Sequence, residues 1–318
     1  METSLLFPAS SDPASARRLA SNVTEFLDSN PSRFPSFPLS IFSKKDTPEL
    51  WFNYEQLFIA CLRTSDDVAA RRCLDRITAR FGPKNERVVG LRGLYEEATA
   101  KDAAALETIL KQYEAILAED PVNVPTLKRR IALLRSLSRH AEAISALVQF
   151  LDAFPTDAEA WCELSDMYQS QGMSSQAIYC LEEALLIVPN GWNLHARLGE
   201  LQYISTTLAE ISETSLKTLA ESVRRFCRSI ELCDDYLRGY YGLHLSTTRL
   251  LERLGPKSNA LSKSRDENFP SREKLEKLRD LSTKKLKEIV KTRCADVTSF
   301  ELNQSELIAA QELLDKAK

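Results

Sequence analysis

Apolar residues along this chain recur every three to four positions, in paired runs parted by short polar turns, which is the period of amphipathic helices. The pattern is sharpest from about Ala158 to Gly191. Trp161, Leu164 and Tyr168 share one face of a first helix, and a break follows at Gly172. Ala177, Leu181 and Ala184 then share one face of a second helix, which Pro189 ends before the turn-forming Asn190-Gly191. Small residues at Ser165, Ala177 and Ala184 let the two antiparallel helices approach closely. Trp161, Leu164, Tyr168, Ala177, Leu181, Ala184 and Pro189 are therefore read as packing residues of a repeated helix pair. If Trp161 is buried, its truncation to Ala should cost roughly 3–5 kcal/mol.

These positions fit the tetratricopeptide pattern W-x2-L-G-x2-Y…A-x3-F…P, with Ser165 in place of Gly and Leu181 in place of the aromatic. A step of about 34 residues toward the N-terminus meets Leu127, Leu134, Ala143, Leu147, Phe150 and Pro155. One step further are Leu91, Leu94 and Ala98, then Ile109, Tyr113, Ile116 and Pro121. A weaker unit precedes them, with Tyr54, Leu57 and Cys61, then Ala70, Leu74, Ile77 and Gly82-Pro83. Toward the C-terminus Leu198-Gly199 and Tyr203 open another unit. Its second helix is expected to be displaced by an insertion from Ser205 to about Lys217, ahead of Ser222, Phe226 and Ser229. Tyr240, Leu243 and Thr247 begin a last one. Agreement fades at both ends, as it does where terminal repeats act as caps. The expected fold is all-α: a superhelical tetratricopeptide-repeat solenoid of roughly five stacked units with helical caps.

The flanks differ in character. Residues 1–48 predict a helix and an extended arm. Asp12-Pro13 resembles a helix start, Leu19, Val23, Phe26 and Leu27 form one short amphipathic helix, and Phe34 and Phe37 sit in a Pro-rich stretch that needs burial. The repeats occupy 49–254. Residues 255–271 read as a linker rich in Lys, Ser, Asn and Asp, and 272–318 as C-terminal helices. There Leu275, Leu278, Leu286, Ile289 and Val290 line one side of a helix from Arg272 to Cys294 that also carries Lys284, Lys285, Lys287, Lys291 and Arg293. Such a basic amphipathic helix suits a capping role with solvated lysines, or an anionic surface.

Composition adds limits. With 318 residues, 43% hydrophobic and 27% charged, the chain has the balance of a globular protein, and only 9 glycines, too few for a barrel or sandwich of tight turns. A net charge of −3 supplies no general attraction to nucleic acid. The short clusters Arg71-Arg72, Lys128-Arg129-Arg130 and Lys284-Lys285 lack the interleaved aromatics of a base-stacking platform. Seven cysteines, odd in number and without a C-x-x-C pair, point to a reducing compartment. No run approaches the roughly 18 apolar residues of a membrane span, and Glu2 stands where a signal peptide needs positive charge.

No catalytic motif emerges. The three histidines, His140, His195 and His244, fall in different repeats, and Cys227 with Cys233 has no second pair for zinc. The chain is expected to be no enzyme and to carry neither cofactor nor metal. Its chemistry is then recognition along the first helices of the repeats, where Lys128, Arg135, Glu163, Asp166, Gln169, Arg197 and Glu200 are candidate groove contacts. Arg129 and Arg135 are candidates to hold an acidic segment in the groove, against the plainer role of solvation and pairing within the helix. The mixed sign argues against the clamp for C-terminal carboxylates, since Ala132 stands where that pattern uses Asn. It suits a folded partner or an extended internal segment.

The runs Pro125 to Ala132, Glu159 to Leu164 and Ala177 to Glu183 resemble the family of subunit 2 of the endoplasmic reticulum membrane protein complex. The likeness spans about Leu91 to Leu250 and continues through Gly239-Tyr240-Tyr241-Gly242-Leu243. The insertion near Ser205 and the basic linker depart from the family's animal form. The resemblance implies a non-catalytic, cytosolic scaffold subunit of a membrane protein insertase. Such a subunit is peripheral on the cytoplasmic face of the endoplasmic reticulum, with membrane-embedded and soluble subunits as partners. It would support insertion of tail-anchored and other transmembrane proteins. The competing expectation is a soluble peptide-binding adaptor or co-chaperone.

Overall fold

The computed structural model describes residues 13–29, 47–207, 212–254, 269–295 and 297–316. The extended arm with Phe34 and Phe37 and most of the expected linker lie outside them. Among the described residues there are fifteen helices and no strand. They fall into two compact units that divide between Ala146 and Leu147.

The first unit holds α1 (Pro13–Ser21), α2 (Val23–Ser29), α3 (Pro48–Arg63), α4 (Asp67–Phe81), α5 (Glu86–Ala98), α6 (Ala103–Glu119) and α7 (Val124–Ser136). The unit boundary cuts α8 (His140–Ala153). Sequence chemistry sets most helix starts. Asp66, Asn85, Asp102 and Asn123 each turn a side-chain oxygen to a backbone N–H of the first turn, and Pro48 follows the Thr47 cap. The single N-terminal helix expected from the apolar spacing is instead two, parted at Asn22, a residue whose side chain competes for local backbone bonds. Val23 and Leu27 of α2 are nonetheless buried in the core made by Tyr54, Leu57, Phe58, Cys61, Ala70, Cys73 and Leu74.

The second unit continues with α9 (Ala158–Ser170), α10 (Ser174–Ile187), α11 (Trp192–Thr207), α12 (Glu213–Leu232), α13 (Leu237–Leu254), α14 (Arg272–Ala295) and α15 (Val297–Lys316). Neighbours pair in sequence order, α9 with α10, α11 with α12, α13 with α14 and α14 with α15. The insertion expected between Ser205 and Lys217 is largely absorbed into helix. Thus α11 runs to Thr207, and α12 starts at Glu213 behind a capping box in which Ser212 and Ser215 bond each other's backbone. Leu216 and Leu219 then bury on the same face as Val223 and Phe226.

Gly172 and Gly242 show where geometry requires glycine. Gly172, at φ +75°, makes the turn between α9 and α10. A Cβ on Gly242 of α13 would overlap the ring of Phe226, so α13 can lie flat on α12 only with hydrogen there. At Ser165, where the repeat pattern expects Gly, the hydroxyl donates to the Ala177 carbonyl at 2.7 Å and so fits the tight α9–α10 approach without orphaning a polar group.

The candidate interaction groove of the second unit

Placement of the repeat residues comes first. Leu164, Ala177, Leu181 and Ala184 are buried, and Tyr168 packs against the cluster that Ala177 and Leu181 form with Leu185 of α10 and Leu198 and Leu201 of α11. Trp161 is only partly buried, so the cost expected for a fully buried indole does not apply to it. Its indole N–H donates to the Pro155 carbonyl at 2.9 Å, and its ring meets Tyr179 edge-on at 6.2 Å, which holds it at the margin of the core. Pro189 is exposed, but its carbonyl faces Nε2 of the buried His195 at 3.0 Å. Burial lowers the pKa of His195 and of His244, and so favours the neutral ring in a packing role.

Charged groove candidates separate between the units. Lys128 and Arg135 lie on α7 of the first unit, the former partly buried and the latter exposed. Arg129, expected in the groove, is instead an internal strut. Its Nε donates to Glu97 Oε1 of α5 at 3.0 Å, its Nη2 donates to the other carboxylate oxygen, and Tyr113 of α6 donates to Oε1 at 2.5 Å. Burial opposes the Arg129 charge, but the bonds and attraction from Glu97 outweigh it and its pKa is raised. Burial, with Glu97 beside it, likewise pushes the Tyr113 phenol up.

In the second unit, Asp166 on α9 and Arg197 and Glu200 on α11 come together in the wall of a groove of about 640 Å³. Glu163 and Gln169 stand on α9 without lining it. Arg197 donates to Glu200 at 2.8 Å and across to Asp166 at 3.1 Å. Burial works against its charge, and the two carboxylates more than compensate, so its pKa is raised. A second clasp closes the far side, where Arg238 of α13 donates to Glu306 of α15 at 2.6 Å and is held charged chiefly by that bond. Between the clasps the lining is aromatic and aliphatic: Tyr203, Ile204, Phe226, Tyr236, Tyr241 and Leu245.

Sequence reasoning did not single out Tyr236, Arg238, Tyr241 or Glu306 as groove residues. Arg238 and Glu306 lie 68 positions apart, and nothing in the local pattern pairs them. Four of the thiols are held in the unreactive protonated form. Burial pushes Cys61, Cys180 and Cys227 up to about 11 and Cys73 to about 12. Among the described residues no three His, Cys, Asp or Glu side chains are grouped to hold a metal.

Stacked helix pairs, a Gly-or-Ser contact inside the pair and a groove on the first helices define a tetratricopeptide-repeat protein of the scaffold and adaptor type. Residues 85–218 match the EMC2 TPR-like repeat domain. TPR repeat protein oca3 of Schizosaccharomyces pombe is 33% identical over 283 residues, 84% of this chain and 94% of that protein. ER membrane protein complex subunit 2-B of Xenopus laevis is 33% identical over 215 residues, 68% of this chain and 67% of that protein. The chain belongs to the family of ER membrane protein complex subunit 2. Among solved structures, the C-terminal part of a TPR repeat-containing protein from Cytophaga hutchinsonii aligns with 92% of this chain and 99% of its own, with a TM-score of 0.47 and 12% identity.

Proposed function

We propose that this chain is a non-catalytic scaffold of the ER membrane protein complex, peripheral at the cytoplasmic face of the endoplasmic reticulum. There it would join membrane-embedded and soluble subunits and so support insertion of tail-anchored and other transmembrane proteins. The observation that carries this reading is the groove of the second unit. Its charges are already paired by Arg197 with Asp166 and Arg238 with Glu306, while tyrosines and Leu245 line the space between. Such a surface binds a protein segment by apolar contact at its centre and ion pairs at its rim. Membership of the subunit 2 family names the complex in which that segment is sought. No helix of the described residues is long and apolar enough to cross a membrane, and in this reading the spanning segments belong to the other subunits.

The test is affinity purification of the tagged chain from mild-detergent extracts, beside a Tyr241→Ala/Leu245→Ala variant. The expected result is stoichiometric recovery of several multi-spanning endoplasmic reticulum proteins, reduced severalfold by the variant at unchanged thermal stability. Recovery of soluble chaperones alone would replace the scaffold reading with that of a cytosolic adaptor.

A further inference from the structure

A second cavity in the same unit, of about 790 Å³, lies between α13, α14 and α15 and differs from the groove in chemistry. Five cations line it: Arg249 from α13, Arg279, Lys284 and Lys287 from α14, and Lys316 from α15. They face only two carboxylates, Glu252 and Asp280. The chain as a whole carries −3, so this local excess of positive charge is not a reflection of general basicity.

Among the described residues three of the cations that face the cavity are uncompensated, as are Lys274 and Lys291 elsewhere on α14, but only around the cavity do such charges converge on one concavity. Elsewhere on α14, Lys277 pairs with Glu273 at 2.6 Å and Lys285 with Glu288 at 3.5 Å. In the cavity only Arg279 meets a carboxylate, Asp280 at 3.4 Å. Among the described residues Lys284, Lys287 and Lys316 have no carboxylate within ion-pair distance. Keeping three like charges around one concavity is unfavourable unless an anion enters it.

Buried donors point the same way. The Arg249 guanidinium lies over the Tyr203 ring at 5.9 Å and donates one Nη2 bond to the Thr207 carbonyl at 3.4 Å, yet its Nε is buried without a partner. The neighbouring Thr248 hydroxyl is buried and unpartnered as well. An orphaned buried donor costs on the order of 1–3 kcal/mol, so two of them on adjacent residues at the wall of one cavity call for an acceptor. His244, also lining the cavity, is held neutral by burial first and by Arg279 second, and its Nδ1 lies 3.1 Å from the Thr283 hydroxyl. It adds no negative charge.

We propose that this cavity is a binding site for a phosphate-bearing polyanion of the inositol phosphate class, free or as a lipid headgroup. A phosphomonoester brings about −1.5 to −2 charges and three acceptor oxygens in a small volume, which a peptide carboxylate does not. Several such groups on one ring match lysine point charges at an i, i+3 spacing on α14 together with guanidinium forks from α13 and α14. The space exceeds that of a single phosphate and falls in the range of a small-molecule site.

The experiment titrates the full chain with inositol hexakisphosphate by calorimetry, at two salt concentrations. Saturable one-to-one binding that weakens with salt is expected. Lys284→Glu/Lys287→Glu should weaken it at least tenfold. Lys274→Glu, a charge reversal on another face of the same helix, should change it less than about twofold. Because these lysines are exposed, the variants should melt like the parent chain. Flotation with vesicles then separates the sources. Stronger binding to phosphatidylinositol 4-phosphate in phosphatidylcholine than to phosphatidylserine vesicles of equal charge identifies a headgroup. Binding of the soluble polyanion with no such preference identifies a free anion. Absence of saturable binding, or equal losses from the cavity and Lys274 variants, would overturn the proposal.

Discussion

Arg129 in the first unit and Arg197 in the second both reach back to a carboxylate about one repeat earlier, but their surroundings give them different roles. Arg129 and Glu97 are 26% and 12% exposed, and the Tyr113 hydroxyl closes over them. Arg197 and Asp166 are 36% and 59% exposed and stand in the wall of an open groove. The same inter-repeat clasp is thus a strut when an aromatic covers it and a surface fitting when nothing does. Water can replace Asp166 at Arg197 with little loss, and so can a partner's acidic group. Nothing outside can replace Glu97 at Arg129.

The largest expected effect tests that contrast directly. Arg129→Ala leaves Glu97 and Tyr113 facing each other in a largely buried space and should cost about 2–4 kcal/mol of stability. Arg197→Ala should cost less than about 1 kcal/mol, because its pair is solvated and screened. Denaturant titrations of the two variants read the difference. A Glu97→Met/Arg129→Met double variant should recover only part of the first loss, since two apolar side chains replace the pair without stranding a charge but leave the buried Tyr113 hydroxyl without its acceptor. Equal losses at Arg129 and Arg197 would end the distinction between strut and fitting.

How much of this was legible in the chain differs by feature. The α9–α10 pair announced itself, because Leu164, Ala177, Leu181 and Ala184 are apolar at helical spacing and all four are buried. Trp161 misled on burial: spacing places it on the right face, but the Pro155 carbonyl that holds its N–H at the margin is a tertiary fact. The inter-repeat clasps were legible but unread. Glu55 with Arg87 and Glu97 with Arg129 are 32 positions apart, and Asp166 with Arg197 is 31, all close to the repeat length. A search for acid-to-arginine spacings near the period finds them. It does not say which are covered, since the covering Tyr113 arrives from a different helix. The Arg238–Glu306 clasp carries no such spacing, because α14 and the segment before it intervene.

A smaller effect sharpens the comparison at the turns within helix pairs. Ser65 ends the α3 segment at φ +60°, Ser138 follows α7 at φ +59°, and Gly172 follows α9 at φ +75°. Each stands directly after its helix's C-cap residue, Thr64, Leu137 and Gln171 respectively. The second unit therefore meets the left-handed turn with the residue that adopts it freely, while the first meets it twice with serine. A Cβ at Gly172 would find nothing within 4 Å, so Gly172→Ala carries no steric clash and isolates the conformational term, a loss of about 1–2 kcal/mol.

Ser138→Gly should act in the opposite direction and more weakly. It relieves the left-handed strain of a residue with a Cβ, but it also gives the unfolded chain more freedom to lose, so the two contributions partly cancel. The net gain should be a few tenths of a kcal/mol, and at most about 1 kcal/mol. Ser138 is exposed, so no packing change accompanies the substitution, and the shift in denaturation midpoint reads the balance of these two backbone contributions. If Ser138→Gly destabilises the chain, the serine is favoured at that turn by more than its φ costs. The turns of the two units would then be two solutions to the same geometry, with neither the strained version of the other.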